Sequence, residues 1–237
     1  MVNCSGESRE YLGLTTLAEQ VRGTQMGIEL WLIRHGETAG NLKKRYIGTT
    51  DEPLCPEGIR GLEERKAAGL YGRKEPDAWF LSPMRRCRET AEVLGQKGQT
   101  PAYMVEDFRE CDFGLFENKN YLELEGCLSY QKWVDSKGTL PFPEGEAPEA
   151  FRRRSCLAFE SVVNQAVEAG WQQVRLVVHG GTIMSIMERF TSPPADYFQW
   201  QVENGGGYVI YLEPEEWKKN LRLREYYRLR YTGRAEQ

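Results

Sequence analysis

The chain has 237 residues, 40% of them apolar and 28% charged, with a formal net charge of −4. This is the composition of an ordinary folded protein, long enough to bury a substantial core as one large α/β domain or two small ones. The acidic balance, with a pI near 5.5, excludes a generally basic nucleic-acid binder, so an anionic partner would have to be met by arginines concentrated in one place.

Residues 1–25 are polar and weakly patterned. They are expected to form a loosely ordered extension before one domain over 26–237, with Met26 as an alternative start. No apolar run approaches the length of a bilayer span, and the first residues lack the basic end and apolar stretch of a signal peptide. The expected location is therefore the cytoplasm, with no membrane partner. Six scattered cysteines without a Cys-x-x-Cys pair read as reduced thiols, and with only two histidines, far apart in sequence, no metal site is expected.

The first convincing element is the apolar run 28–33, typical of a buried strand. A short helix is predicted over 38–46, a loop over 48–56 from its Gly, Thr-Thr-Asp and two prolines, and a helix over 57–71. A strand over 78–81 leads into Ser82-Pro83, read as N-cap and first turn of a helix over 84–95. A third strand is predicted at 103–105. Residues 113–145 show no clean period and carry Phe116, Tyr121, Tyr130, Trp133 and Phe142. Such an aromatic insert reads either as a binding wall that stacks on a ring or as rings packing the insert onto the domain. A long helix over 146–169, a strand at 174–178, a helix over 181–190 and closing strands at 207–212 and 223–229 complete the pattern. Strands alternating with helices predict a three-layer α/β/α sandwich around a mainly parallel sheet.

Two segments share one design. Leu32-Ile33-Arg34-His35-Gly36-Glu37-Thr38 and Val177-Val178-His179-Gly180-Gly181-Thr182 each end an apolar strand in His-Gly ahead of a helix. Ligands of open α/β sheets bind at that strand edge. Arg34 offers a planar fork that matches phosphate oxygens, and Asn41 in the following turn can add an amide donor. Arg85, Arg86 and Arg88 open the helix after Ser82-Pro83. They read either as a solvated face paired with Glu89 and Glu92, or as a source of one phosphate ligand at a helix N-terminus. Arg109-Glu110 supplies a carboxylate beside an aromatic-Gly turn.

Together these segments resemble the histidine phosphatase superfamily, in the branch that includes cofactor-dependent phosphoglycerate mutases, over about 28–212. Arg-His-Gly-Glu-Thr with Asn41 following, Ser-Pro-Met-x-Arg, Arg-Glu-x-x-Phe-Gly and His-Gly-Gly-Thr occur in the family's order. The resemblance selects Arg86 over Arg85, and Glu110 and His179 for the other roles. It implies a phosphoglycerate mutase-like fold, His35 as nucleophile, Glu110 as general acid, and Arg34, Asn41, Arg86, His179 and Gly180 around the phosphate. It also implies hydrolysis of a small phosphorylated metabolite without metal or cofactor.

Segments such as Tyr130-Gln131-Lys132-Trp133 look most like bacterial α-ribazole phosphatase-like proteins. Three positions depart from the family pattern. Cys87 stands where Ala is usual, Phe116-Glu117-Asn118 replaces Trp-Glu-Gly, and Ala147 stands where a capping Ser is common. Two alternatives are a mutase, although the chain is short between its acid loop and second histidine, and a silent phosphate-binding regulatory domain.

Overall fold

A computed structural model describes residues 27–136 and 138–231. The expected extension over 1–25 lies outside the described residues, as does Cys4. Six strands form one sheet in the order β3-β2-β4-β1-β5-β6. They are β1 (Ile28–Arg34), β2 (Ala78–Leu81), β3 (Ala102–Met104), β4 (Gln173–Val178), β5 (Gly207–Leu212) and β6 (Glu225–Leu229). The first four run parallel, while β5 is antiparallel to both β1 and β6. The mainly parallel sheet predicted from the sequence is present, and the closing strands supply its antiparallel edge.

Helices cover both faces. The central strands are apolar on both sides, so successive side chains enter different layers. Leu30 and Leu32 of β1, with Leu176 and Val178 of β4, pack against α5 (Pro148–Ala169) and α6 (Gly180–Phe190). Trp31, Ile33 and Val177 face the other way, onto Leu62 of α2 (Pro56–Ala67) and Ala91 and Leu94 of α3 (Arg85–Leu94). Glycines Gly95 and Gly170 end α3 and α5 in the left-handed conformation that favours glycine. Among the described residues no helix is long and apolar enough to cross a membrane.

The helix predicted over 38–46 is shorter, α1 (Ala39–Leu42), because Thr38 and Asn41 close a capping box at its start and Lys44 turns left-handed just after it. The insert is not structureless. Its described residues hold a 3₁₀ turn (Gly114–Phe116) and α4 (Leu128–Asp135), and its rings form a third small core with Phe151. Ala147 occupies the N-cap of α5 without a side-chain cap. A last helix, α7 (Pro214–Asn220), joins β5 to β6.

Candidate active site

The sheet itself brings the two histidines together. In the parallel β1–β4 pair, Arg34 stands opposite Val178. His35 and His179 follow by one residue each, so both leave the sheet at the same edge of adjacent central strands. Their ring centroids are 5.2 Å apart at 64°, and both rings are buried.

His35 is held by a local turn. Its Nδ1 lies 2.7 Å from the Gly36 carbonyl oxygen. A carbonyl can only accept, so Nδ1 carries the proton and Nε2 keeps its lone pair. Gly36 is needed for space, since a Cβ there would come within 2.6 Å of Leu62 Cδ1. Its N–H donates to Thr90 Oγ1, whose hydroxyl donates to the Arg86 carbonyl. The turn is thereby tied to α3.

His179 is the N-cap of α6. Its Nε2 shares a 2.8 Å hydrogen bond with the Ser82 hydroxyl, and Cys87 Sγ lies 3.6 Å from the same nitrogen. This corrects the expectation that Ser82 caps the following helix. The N-cap of α3 is Met84, with no side-chain cap, and Ser82 serves a buried imidazole that would otherwise lose a partner at a cost of about 1–3 kcal/mol. Sequence spacing alone could not separate the two uses of a Ser-Pro pair.

The arginine cluster divides. Arg85 is exposed and pairs with Glu89, as the bland reading expected. Arg86 is fully buried, with its guanidinium donating to the carbonyls of Ile47, Gly48 and Thr50. The N-terminus of α3 is not an open anion site, because Asp51 already accepts from the Arg85 N–H. The helix end that opens onto the histidines is that of α6, where Gly180 brings the backbone so close that a Cβ would stand 3.4 Å from Arg34 Nε. Arg34 donates to the Val202 carbonyl. Among the described residues the Nε groups of both Arg34 and Arg86 are buried without a hydrogen-bond partner. The same holds for Arg45, Arg65 and Arg175, so it is the position of Arg34 and Arg86 beside the histidines that sets these two apart.

The electrostatics follow from this burial. Desolvation, then Arg86 and Arg34, hold the His35 imidazole well below its ordinary value. Desolvation, Arg86 and His35 do the same to His179. Burial and the arginines thus favour the neutral form of both rings. Burial pushes the half-buried Glu110 carboxyl upward despite the Cys111 N–H and the two arginines, which oppose it.

Glu110 Oε1 accepts from the Cys111 N–H and sits where a Cβ on Gly181 would be 2.7 Å away. The acid loop is clamped by Arg154 of α5. That side chain donates to the carbonyls of Asp107, Arg109 and Glu110 and forms a two-pronged pair with Glu146. A cleft of about 290 Å³ opens beside Glu110, lined also by Gly48, Thr49, Met84 and Asp112.

Asn41 lies in the same region, its Oδ1 accepting from the Thr38 N–H at 3.3 Å and from Asn204 Nδ2 at 3.0 Å. Thus the structure gathers Arg34, His35, Asn41, Arg86, Glu110, His179 and Gly180 around the ends of β1 and β4. Ser82, Thr90, Arg154 and Asn204 were not singled out for this site. Their types are common in any chain, and only folding shows what they touch. Among the described residues no cluster of metal-ligating side chains forms, and the five described cysteines are free thiols.

A mainly parallel sheet with paired buried histidines and two arginines at its carboxyl edge defines the class of α/β protein. The chain belongs to the histidine phosphatase superfamily (branch 1), whose family profile matches residues 30–223. It is 29% identical over 184 residues to the adenosylcobalamin/alpha-ribazole phosphatase of Salmonella typhimurium, covering 75% of this chain and 87% of that one. The alpha-ribazole phosphatase of Shigella flexneri has a similar structure, with a TM-score of 0.67 and 25% identity over 77% of this chain and 90% of that one. A phosphoglycerate mutase from Thermus thermophilus is similar at a TM-score of 0.59 and 26% identity, over 86% and 99% of the two chains.

Proposed function

We propose that this chain is a phosphomonoesterase that hydrolyses a small phosphorylated metabolite through a phosphohistidine on His35, with no metal taking part. The observation that carries the reading is the 2.7 Å contact from His35 Nδ1 to the Gly36 carbonyl, which leaves a neutral, unprotonated Nε2 among buried arginines. The phosphate would sit between Arg34, Asn41, Arg86, His179 and the N-terminus of α6 at Gly180. Fixed donors there stabilise charge on the equatorial oxygens, the role a metal ion plays elsewhere.

In the first step His35 Nε2 forms a bond to phosphorus, the ester P–O bond breaks, and the leaving alkoxide takes the proton of Glu110. In the second, Glu110 as carboxylate takes a proton from water. The resulting hydroxide attacks phosphorus and the P–N bond breaks, releasing phosphate and neutral His35. A carboxyl raised by burial suits the first role, because it holds its proton to higher pH than an exposed glutamate.

The names of the relatives favour α-ribazole 5′-phosphate as one substrate. The aromatic insert adds no support for it. Tyr46, Phe116, Tyr130, Trp133 and Phe142 pack on one another, mostly edge to face, at centroid distances of 5.0–6.4 Å, so the rings are engaged with each other. The likeness to the Thermus mutase keeps a phosphotransferase reading open to test.

Release of inorganic phosphate from p-nitrophenyl phosphate and a panel of phosphometabolites, with EDTA present, tests the proposal. Turnover by the wild type and its loss in His35→Ala with an unchanged fold are expected. A fully active His35→Ala would overturn the mechanism, a silent wild type would favour the binding-domain reading, and dependence on 2,3-bisphosphoglycerate would favour a mutase.

A further inference from the structure

Behind the phosphate-facing residues stands a side chain that the mechanism does not yet use. Asn204 lies in the loop before β5, which folds over the end of β1. Gly205 N–H donates to the carbonyls of Arg34 and His35, Arg34 N–H donates to the Gly206 carbonyl, and the Tyr71 hydroxyl donates to the Gly205 carbonyl. On this braced loop, Asn204 Nδ2 is 3.2 Å from the His35 carbonyl, 3.3 Å from the Gly36 carbonyl and 3.0 Å from Asn41 Oδ1.

We propose that Asn204 is a positioning residue that sets the polarity of the Asn41 amide, so that Asn41 offers N–H groups and not its oxygen to the anion. The role rests on the reading of the site as a phosphate pocket. The oxygen and nitrogen of an amide side chain are distinguished by their partners, and here the partners at both ends of the chain are unambiguous. The carbonyls of His35 and Gly36 can only accept, so Asn204 must turn its NH₂ toward them. The Thr38 N–H, 3.3 Å from Asn41 Oδ1, can only donate, so Asn41 must turn its oxygen toward Thr38.

The two assignments meet as a donor facing an acceptor. Asn41 Oδ1 then receives two hydrogen bonds, and the NH₂ of Asn41 is the group left to spend. The same Gly36 carbonyl that receives the Asn204 amide also receives His35 Nδ1–H. One side chain thus touches both the carbonyl that fixes the nucleophile's tautomer and the amide that faces the phosphate. Without Asn204 only the Thr38 N–H opposes a half-turn of the Asn41 amide, and that half-turn would put an oxygen lone pair against an anion.

The test is calorimetric titration of inorganic phosphate into the full chain, compared across wild type, Asn204→Ala, Asn41→Ala and the double variant, each with a thermal melt. Asn204→Ala should weaken phosphate binding by about tenfold, the scale of one hydrogen bond to a charged group. Asn41→Ala should cost at least as much. Adding Asn204→Ala to Asn41→Ala should cost less than about twofold more, because nothing remains to orient. Asn204→Leu, close in shape but without a donor, carries the same comparison if the alanine variant does not fold. Wild-type affinity in Asn204→Ala, or penalties that multiply in the double variant, would overturn the role. Turnover of p-nitrophenyl phosphate reads the function separately: coupled phosphate binding without turnover would keep the Asn204 role and reject the phosphatase. A wild type that binds no phosphate would reject both.

Discussion

The imidazole edges of His35 and His179 meet at a centroid distance of 5.2 Å, and His35 joins burial and Arg86 in disfavouring a charge on His179. Two imidazoliums at that distance, beside Arg34 and Arg86, would repel strongly in a buried site. If phosphate binds as proposed, a dianion should invert the balance, and a proton and a phosphate should enter together more readily than a proton alone.

These are the chain's only histidines, so imidazole ¹⁵N spectra report the site without interference. Neither ring should titrate near the ordinary value of about 6.5, and His35 should appear as the Nδ1–H tautomer. Adding phosphate should raise the His179 midpoint. A His35 ring protonated on Nε2 at neutral pH would contradict the proposed nucleophile.

The same shifts give stability and activity opposite pH signatures. Below about 6.5 the unfolded chain binds protons on both histidines that the folded chain refuses. Folding stability should therefore fall as pH drops from 6.5 toward the lowered folded values, by at most about 1.4 kcal/mol per pH unit for each ring. Glu110 acts the other way. Above its unfolded value the folded protein retains a proton that the unfolded chain releases, so its contribution declines as pH rises through that window. Urea denaturation of His35→Gln/His179→Gln should lose the first slope. In kinetics, kcat/KM should decline as pH climbs through the raised Glu110 value, and Glu110→Gln should abolish that limb along with most activity, by about 10²–10⁴-fold.

Arg86→Lys should be far from conservative. The guanidinium serves three carbonyls of the 47–50 loop at once, and an ammonium cannot match that planar fork. A fall of about 10²-fold in kcat/KM is expected, together with a lower Tm. A kinetically normal Arg86→Lys would show that the loop needs only a charge.

Trp133→Ala tests the insert. Its ring lies 5.0 Å from Phe142 and 6.0 Å from Phe116, centroid to centroid, and is half-buried. Truncation should cost about 2–3 kcal/mol in urea denaturation, somewhat less than a fully buried tryptophan. The ratio of kcat/KM between aromatic and aliphatic phosphomonoesters should stay within about twofold, because the ring is occupied by its neighbours. A selective loss of aromatic substrates would restore the insert as a binding wall.

Much of this protein could be read before it folded. Apolar runs at 28–33 and 174–178 announce buried parallel strands because both of their faces must be covered, and His-Gly after each run places a ligand at the strand ends. The alternation of strands and helices was enough for the sandwich, and the motif order for the family and for which residues, from Arg34 and His35 to Glu110 and His179, would be neighbours. Those signals are local, or repeat one local design.

What the chain order could not specify is which polar groups find each other across the fold. Ser82 reads equally well as a cap until β4 sets His179 beside it. The α3 N-terminus reads as an anion site until Asp51 is seen to occupy it. Asn204 and Arg154 carry no signature at all, yet one braces the His35–Gly36 turn and the other clamps the loop that bears Glu110. Hydrophobic periodicity is written along the chain, because each element must bury one face whatever its neighbours are. Hydrogen-bond pairing in a buried site depends on distance and direction between segments more than a hundred residues apart, and only the packed sheet supplies those.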